Sequence, residues 1–262
     1  MKKSFQEQLT EFSCASIWDL LPEDFKSIPE DVKRKTGIEI KVLPISACPR
    51  PLFELDEAPA VVDIDGSSQS ITIWCAPSKI TASIVGHELL HIRRDILEQQ
   101  PKMMPIRCNA QKSSLIHMIE NELEHLIIIR EEIVNFADAE DRWASAYERI
   151  VDNAINRPKP DLLELILTWL QLRSSLPNQT KIATKLANHL KSLEPQWAKT
   201  IDYVRHIMME SLPDKAKLIH TILTELKQIT PETTNSIGIG RWEMHEGSLI
   251  FSLKMLNGKR VN

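Results

Sequence analysis

The chain alternates between apolar and polar residues in one short region and repeats at helical spacing through most of the rest. Ile38–Pro44 (IEIKVLP) alternates and is β-branched, and Ala60–Ile64 (AVVDI) and Ser70–Pro77 (SITIWCAP) flank the turn sequence DGSSQ. Period-two segments around an Asp-Gly turn predict a hairpin over 60–76 and, with Ile38–Pro44, a small antiparallel sheet. The proline-rich stretch ACPRPLFELDEAP between them is a predicted loop. Ahead of the sheet, Ile17–Lys35 reads as one or two helices. PEDF and PEDV each put proline at a helix start with acids behind it, and Gly37 stops the last turn.

Behind the sheet the pattern becomes helical. Ser78 is positioned to cap a helix running to about Glu98, which Pro101 and Pro105 end. A second long helix is predicted from about Ser113 to Ala137 and another from there to Asn156. The best boundary is NRPKPD (Asn156–Asp161). Beyond it, DLLELILTWLQLRSSL, QTKIATKLANHLKSL, EPQWAKTIDYVRHIMMESL and PDKAKLIHTILTELKQI carry apolar residues three and four apart. The tail SIGIGRWEMHEGSLIFSLKML alternates around His245-Glu246-Gly247 and predicts a terminal hairpin. The expected fold is α+β and predominantly helical, with a first domain over 1–156 and a mostly helical region over 157–262.

Composition narrows the function classes. The formal net charge is −4 without a long single-sign block, which speaks against a nucleic-acid surface or a polybasic membrane patch. No apolar run reaches a membrane span, and polar and acidic residues interrupt the N-terminus before a signal-peptide core can form. Cys14, Cys48, Cys75 and Cys108 lie far apart with no CxxC pair, as expected of free thiols in a reducing cytoplasm. Only seven glycines interrupt a chain rich in Leu, Ile, Glu and Lys, which favours helix.

The chemistry concentrates in SIVGHELLHIRRDIL (Ser83–Leu97). Positions i and i+4 share one helix face, so His87 and His91 can reach one metal ion. Glu88 stands about 100° round the helix from His87, where it flanks the metal and can take a proton from a metal-bound water. Ile84, Val85, Leu89, Leu90 and Ile92 predict a largely buried helix, whose polar groups need a partner such as a metal.

A catalytic zinc takes three protein ligands and keeps the fourth position for water. The third is expected on the helix downstream, in HMIENELEHLIIIREE (His117–Glu132). Glu120 and Glu124 lie on one face, which His117 and Asn121 share, and acids beside the apolar run Leu126–Ile129 need something to hold them. His125 lies about 140° from Glu120 on an ideal helix and is not expected as a ligand.

HELLH followed by ENELE resembles the zincin metallopeptidases whose third ligand is a glutamate, the gluzincins. The order helix, three-stranded sheet, metal helix, glutamate helix resembles the ImmA/IrrE-type metallopeptidase domain over residues 15–140. The resemblance implies that the sheet packs on the HExxH helix and the glutamate helix, that Glu120 binds zinc, and that Glu124 supports a zinc histidine. His117 is an alternative partner or a donor to the oxyanion. Glu122 and Glu124 remain open as third ligands, with Glu120 preferred because it places an acid at i+4. The resemblance further implies that the strand ITIWC forms an edge able to pair with an extended substrate.

The expected function is therefore zinc-dependent hydrolysis of a peptide bond in a protein or peptide substrate, with Glu88 as general base. Two competing expectations are an inactive zincin-fold binding protein and a metal-free helical interaction module. The C-terminal half offers no second cluster. His189, His206, His220 and His245 are scattered, Tyr147 and Tyr203 read as packing or surface, and Trp169, Trp197 and Trp242 read as core.

Overall fold

The computed structural model describes residues 3–10, 17–48, 59–158, 162–193, 206, 214–225 and 231–255. The fold is α+β and mostly helical, as expected. It divides into two compact units, one of Met1–Gln100 with Arg241–Ser252, the other of Pro101–Gly240 with Leu253–Asn262. The boundary expected at Asn156 falls within the residue range of the second unit. Cys14, most of the proline-rich loop, and EPQWAKTIDYVRHIMMESL apart from His206, with its Trp197 and Tyr203, lie outside the described residues.

In the first unit α1 (Phe5–Thr10), α2 (Ile17–Leu20) and α3 (Glu23–Thr36) precede a three-stranded sheet of β1 (Ile40–Pro44), β2 (Ala60–Asp65) and β3 (Ser70–Cys75). Gly37 closes α3 in the left-handed region at φ 73°, and its N–H donates to the Lys33 carbonyl. β2 and β3 form the predicted antiparallel hairpin, with Ala60 opposite Cys75 and Asp65 opposite Ser70.

Two expectations about this sheet are corrected. It is mixed rather than antiparallel, because β1 runs parallel to β3, Ile40 opposite Ile71. The strand order is β1-β3-β2, so ITIWC is the central strand and not an edge. Ile71 to Cys75 are all buried, as a strand covered on both faces requires. The helix α4 (Ala82–Ile92) packs against β2 and α3, and Val85, Leu89 and Ile92 join Phe25, Ile28 and Val32 as buried side chains of this unit.

The second unit is a helical assembly with one short strand at its start. β4 (Lys102–Pro105), bracketed by the two prolines expected only to break a helix, pairs antiparallel with residues 237–240 of β5 (Ile237–His245). β5, the turn Glu246-Gly247 and β6 (Ser248–Met255) make the predicted terminal hairpin. α5 (Ala110–Asn135) starts at Asn109, whose side chain accepts from the Lys112 N–H at 2.9 Å. Its Ile116, Ile119, Leu123 and Leu126 recur at helical spacing and are all buried. α6 (Ala139–Asn156), α7 (Leu162–Ser174), α8 (Thr180–Leu193) and α9 (Lys215–Glu225) follow. α7 is buried on every side and contacts α5, α6 and α8, so it is the central helix of this unit. A last short helix, α10 (Pro231–Thr234), leads into β5.

Candidate metal centre

Thr81, not the expected Ser78, caps α4: its hydroxyl accepts from the Ile84 N–H at 3.3 Å. Ser78 lies in the turn where the Lys79 N–H bonds the Ala76 carbonyl, one step too early to start the helix. The motif occupies the C-terminal half of α4, with His91 one residue before its end. His87 and Glu88 are buried and His91 is half-buried. Past Ile92 the turns widen into a π-helical segment, Arg93–Leu97, where the Glu98 N–H reaches back to the Arg93 carbonyl. Such segments recur beside functional sites.

The histidines meet as the spacing predicts. Their Nε2 atoms lie 3.2 Å apart, with the rings nearly perpendicular at 85°. Two nitrogens each about 2.05 Å from one tetrahedral ion stand about 3.3 Å apart. The pair therefore fits two corners of a tetrahedral metal site without rearrangement. Glu88, expected to flank the metal, is buried on the same helix. Its charge contributes, after burial, to pushing the neighbouring Cys75 thiol up to about 11. The carboxylate is therefore close enough to Cys75 of the central strand to act on it electrostatically.

The acids of α5 have their own surroundings in the second unit. Glu120 and Glu124 are buried on one face, as predicted. Glu120 Oε2 accepts from the Met103 N–H of β4 at 2.9 Å, and Oε1 accepts from Lys215 Nζ at 2.5 Å. The same ammonium also donates to Glu124 Oε2. Burial raises the Glu120 carboxyl above its ordinary range, against the attraction of Lys215 and Lys102. Glu122 points elsewhere, and its carboxylate accepts from the Tyr147 hydroxyl at 3.5 Å. Burial pushes Glu122 up to about 7 despite hydrogen bonds from Gln171 and Tyr147. His117 is exposed on α5.

Sequence reasoning missed two residues. Lys215 is one. It precedes the buried Leu218, Ile219 and Ile222 by three, four and seven positions, so it falls on the apolar stripe of α9, and that placement was a readable signal. His125 is the other. It is buried on α5, with the Trp143 ring 5.1 Å away and the Asn121 amide 3.5 Å from Nδ1. In the first unit His87 and His91 are candidate metal donors, and in the second His125 is a further buried imidazole able to take that role.

The remaining predicted residues take ordinary places. Tyr147 and Trp169 are buried in the second unit, and Trp242 packs edge-on against Phe251 at 5.2 Å. His206, His220 and His245 are exposed and His189 is half-buried. Among the described residues no helix is long and apolar enough to cross a membrane. Comparison with protein families, with curated proteins and with solved structures finds no match to the chain.

Proposed function

We propose that the chain is a zinc-dependent metallopeptidase of the gluzincin type, resembling the ImmA/IrrE-type domain, that hydrolyses a peptide bond in a protein or peptide substrate of the cytoplasm. The observation that carries this reading is the His87–His91 pair, 3.2 Å apart on a buried helix with Glu88 beside it. His87 and His91 would hold the zinc, with Glu120 as the third protein donor and Glu124 supporting it. A bound zinc ion supplies Lewis acidity at the scissile carbonyl and acidifies water. Glu88 takes the proton of the attacking water as its oxygen bonds the carbonyl carbon. It then returns that proton to the amine nitrogen as the C–N bond breaks.

A second reading, a protein-binding module without catalysis, draws support from Lys215. An internal ammonium that already neutralises Glu120 and Glu124 is what a purely structural acid pair needs.

The test is the metal content of the purified protein by mass spectrometry, beside H91A, E120A and H125A, with peptide hydrolysis measured for the wild type and E88Q. About one zinc per chain, lost in H91A and E120A, with hydrolysis lost in a zinc-loaded E88Q, is the expected result. Loss in H91A and H125A but not E120A keeps the centre and replaces its third donor. A wild type that takes up no zinc refutes the peptidase and leaves the binding module.

A further inference from the structure

The second unit holds a small cavity that the proposed chemistry does not use. Its volume is about 180 Å³, below the ~300–1,000 Å³ of pockets that take drug-sized ligands. It lies where the last turns of α5, the first turn of α6 and the carboxyl end of α7 come together. Ser174 of α7 lines it with only 8% of its surface exposed, and among the described residues its hydroxyl has no hydrogen-bond partner. A desolvated hydroxyl without a partner is costly, so one that lines a cavity marks a place for a polar ligand. Two opposite charges line the same space. Arg130 of α5 is exposed and makes no ion pair among the described residues. Glu140 of α6 is half-buried and accepts from the Gln179 amide at 3.4 Å, but pairs with no cation among the described residues. The guanidinium and the carboxylate therefore do not neutralise each other. Asn178 adds a side-chain amide that is likewise unpaired among the described residues, and Ile133 and Pro177 add an apolar wall.

We propose that this cavity binds a free α-amino acid. The Arg130 guanidinium takes the ligand's carboxylate, which its planar fork matches in two parallel hydrogen bonds, and the Asn178 amide is a further donor to it. Glu140 takes the ammonium with the lone pairs that Gln179 leaves open. The Ser174 hydroxyl both donates and accepts, so it can serve either group. A simple anion or a simple cation would pair one charge of the cavity and be repelled by the other, whereas a zwitterion pairs both. The small volume and the wall of Ile133 and Pro177 favour a short apolar side chain, such as that of alanine or valine. All these residues belong to the second unit, and the inference does not depend on the zinc reading.

Isothermal titration calorimetry on the full chain tests this with L-alanine and L-valine, beside N-acetyl-L-valine, which lacks the ammonium, and L-valinamide, which lacks the carboxylate. At least L-valine is expected to bind with a Kd of about 1 mM or tighter, and both blocked forms at least about tenfold more weakly. R130M and E140Q, each checked for a cooperative thermal melt, are expected to weaken L-valine binding at least about tenfold, because each removes one charge-assisted contact. Arg130 is exposed and Glu140 half-buried, so both variants should fold. N-acetyl-L-valine binding as tightly as L-valine would make this an anion site, and L-valinamide doing so would make it a cation site; either overturns the proposal. Binding of neither amino acid, or binding indifferent to R130M and E140Q, overturns it as well.

Discussion

Glu132 is a fully buried acid whose removal should be costly. Its side chain is 0% exposed, near the C-terminal end of α5. Oε1 accepts from the Arg142 guanidinium and Oε2 from the Trp143 indole N–H at 2.8 Å. The guanidinium also lies over the Trp143 ring, 4.9 Å from its centroid. This clamp fixes α5 to α6, and so helps hold the helix that carries Glu120, Glu124 and His125. Glu132→Ala strands an arginine and an indole N–H. Each hydrogen bond to a charged group is worth about 1.5–3 kcal/mol, and breaking a buried ion pair costs about 3–5 kcal/mol. Arg142 keeps 27% of its side chain exposed and can turn partly to water, which places the expected loss at the lower end. The expectation is about 3 kcal/mol for Glu132→Ala, a large share of a typical folding free energy. Glu132→Gln should cost about 1–2 kcal/mol, because the amide oxygen can still accept from the indole. Urea denaturation gives both values as midpoint shifts at unchanged slope. The pair Glu132→Gln with Arg142→Met should cost less than the sum of its singles, since both remove one interaction. A loss below about 1 kcal/mol for Glu132→Ala, or strict additivity of the pair, would refute the reasoning.

Gly66→Ala in the β2–β3 turn should lower the melting temperature, because a Cβ there would lie 2.9 Å from the Leu249 carbonyl oxygen and 3.2 Å from the Trp242 ring. Overpacking of this kind costs about 1–3 kcal/mol, and an unchanged melt would show that the turn yields freely. Glu122 binds its proton more tightly folded, at about 7 against the ordinary 4.5, so its contribution to stability is complete below pH 4.5 and is lost as pH rises to about 7. Glu122→Gln cannot ionise and should flatten that slope, gaining about 1–3 kcal/mol relative to wild type at pH 8; parallel pH profiles would contradict the assignment. Cys75, buried and with its thiol pushed up to about 11, should resist iodoacetamide at pH 8 while the half-buried Cys48 and Cys108 react. Peptide mass mapping that finds Cys75 labelled as fast as those two would refute its burial.

The sequence by itself determined what depends on neighbours a few positions apart. His87, Glu88 and His91 share a helix because the residues around them favour one, and the i, i+4 spacing alone brings the two imidazoles together. The same holds for the turns at Asp65-Gly66 and Glu246-Gly247, for the single face of Glu120 and Glu124, and for the apolar stripes of the later helices. Tertiary structure decided what depends on distant partners. Alternation in Ile40–Pro44 says that it is a strand, but not that it runs parallel to β3 on the edge β2 leaves open. Lys102–Pro105 is a strand only because residues 237–240 supply its hydrogen-bond partners. Likewise, the sequence shows Glu120 and Glu124 as acids in need of a cation. Only the fold shows that Lys215, 95 residues from Glu120, is the one they hold. Local periodicity is written in adjacent side chains, whereas the pairing of buried strands and charges is settled by which distant groups desolvate together.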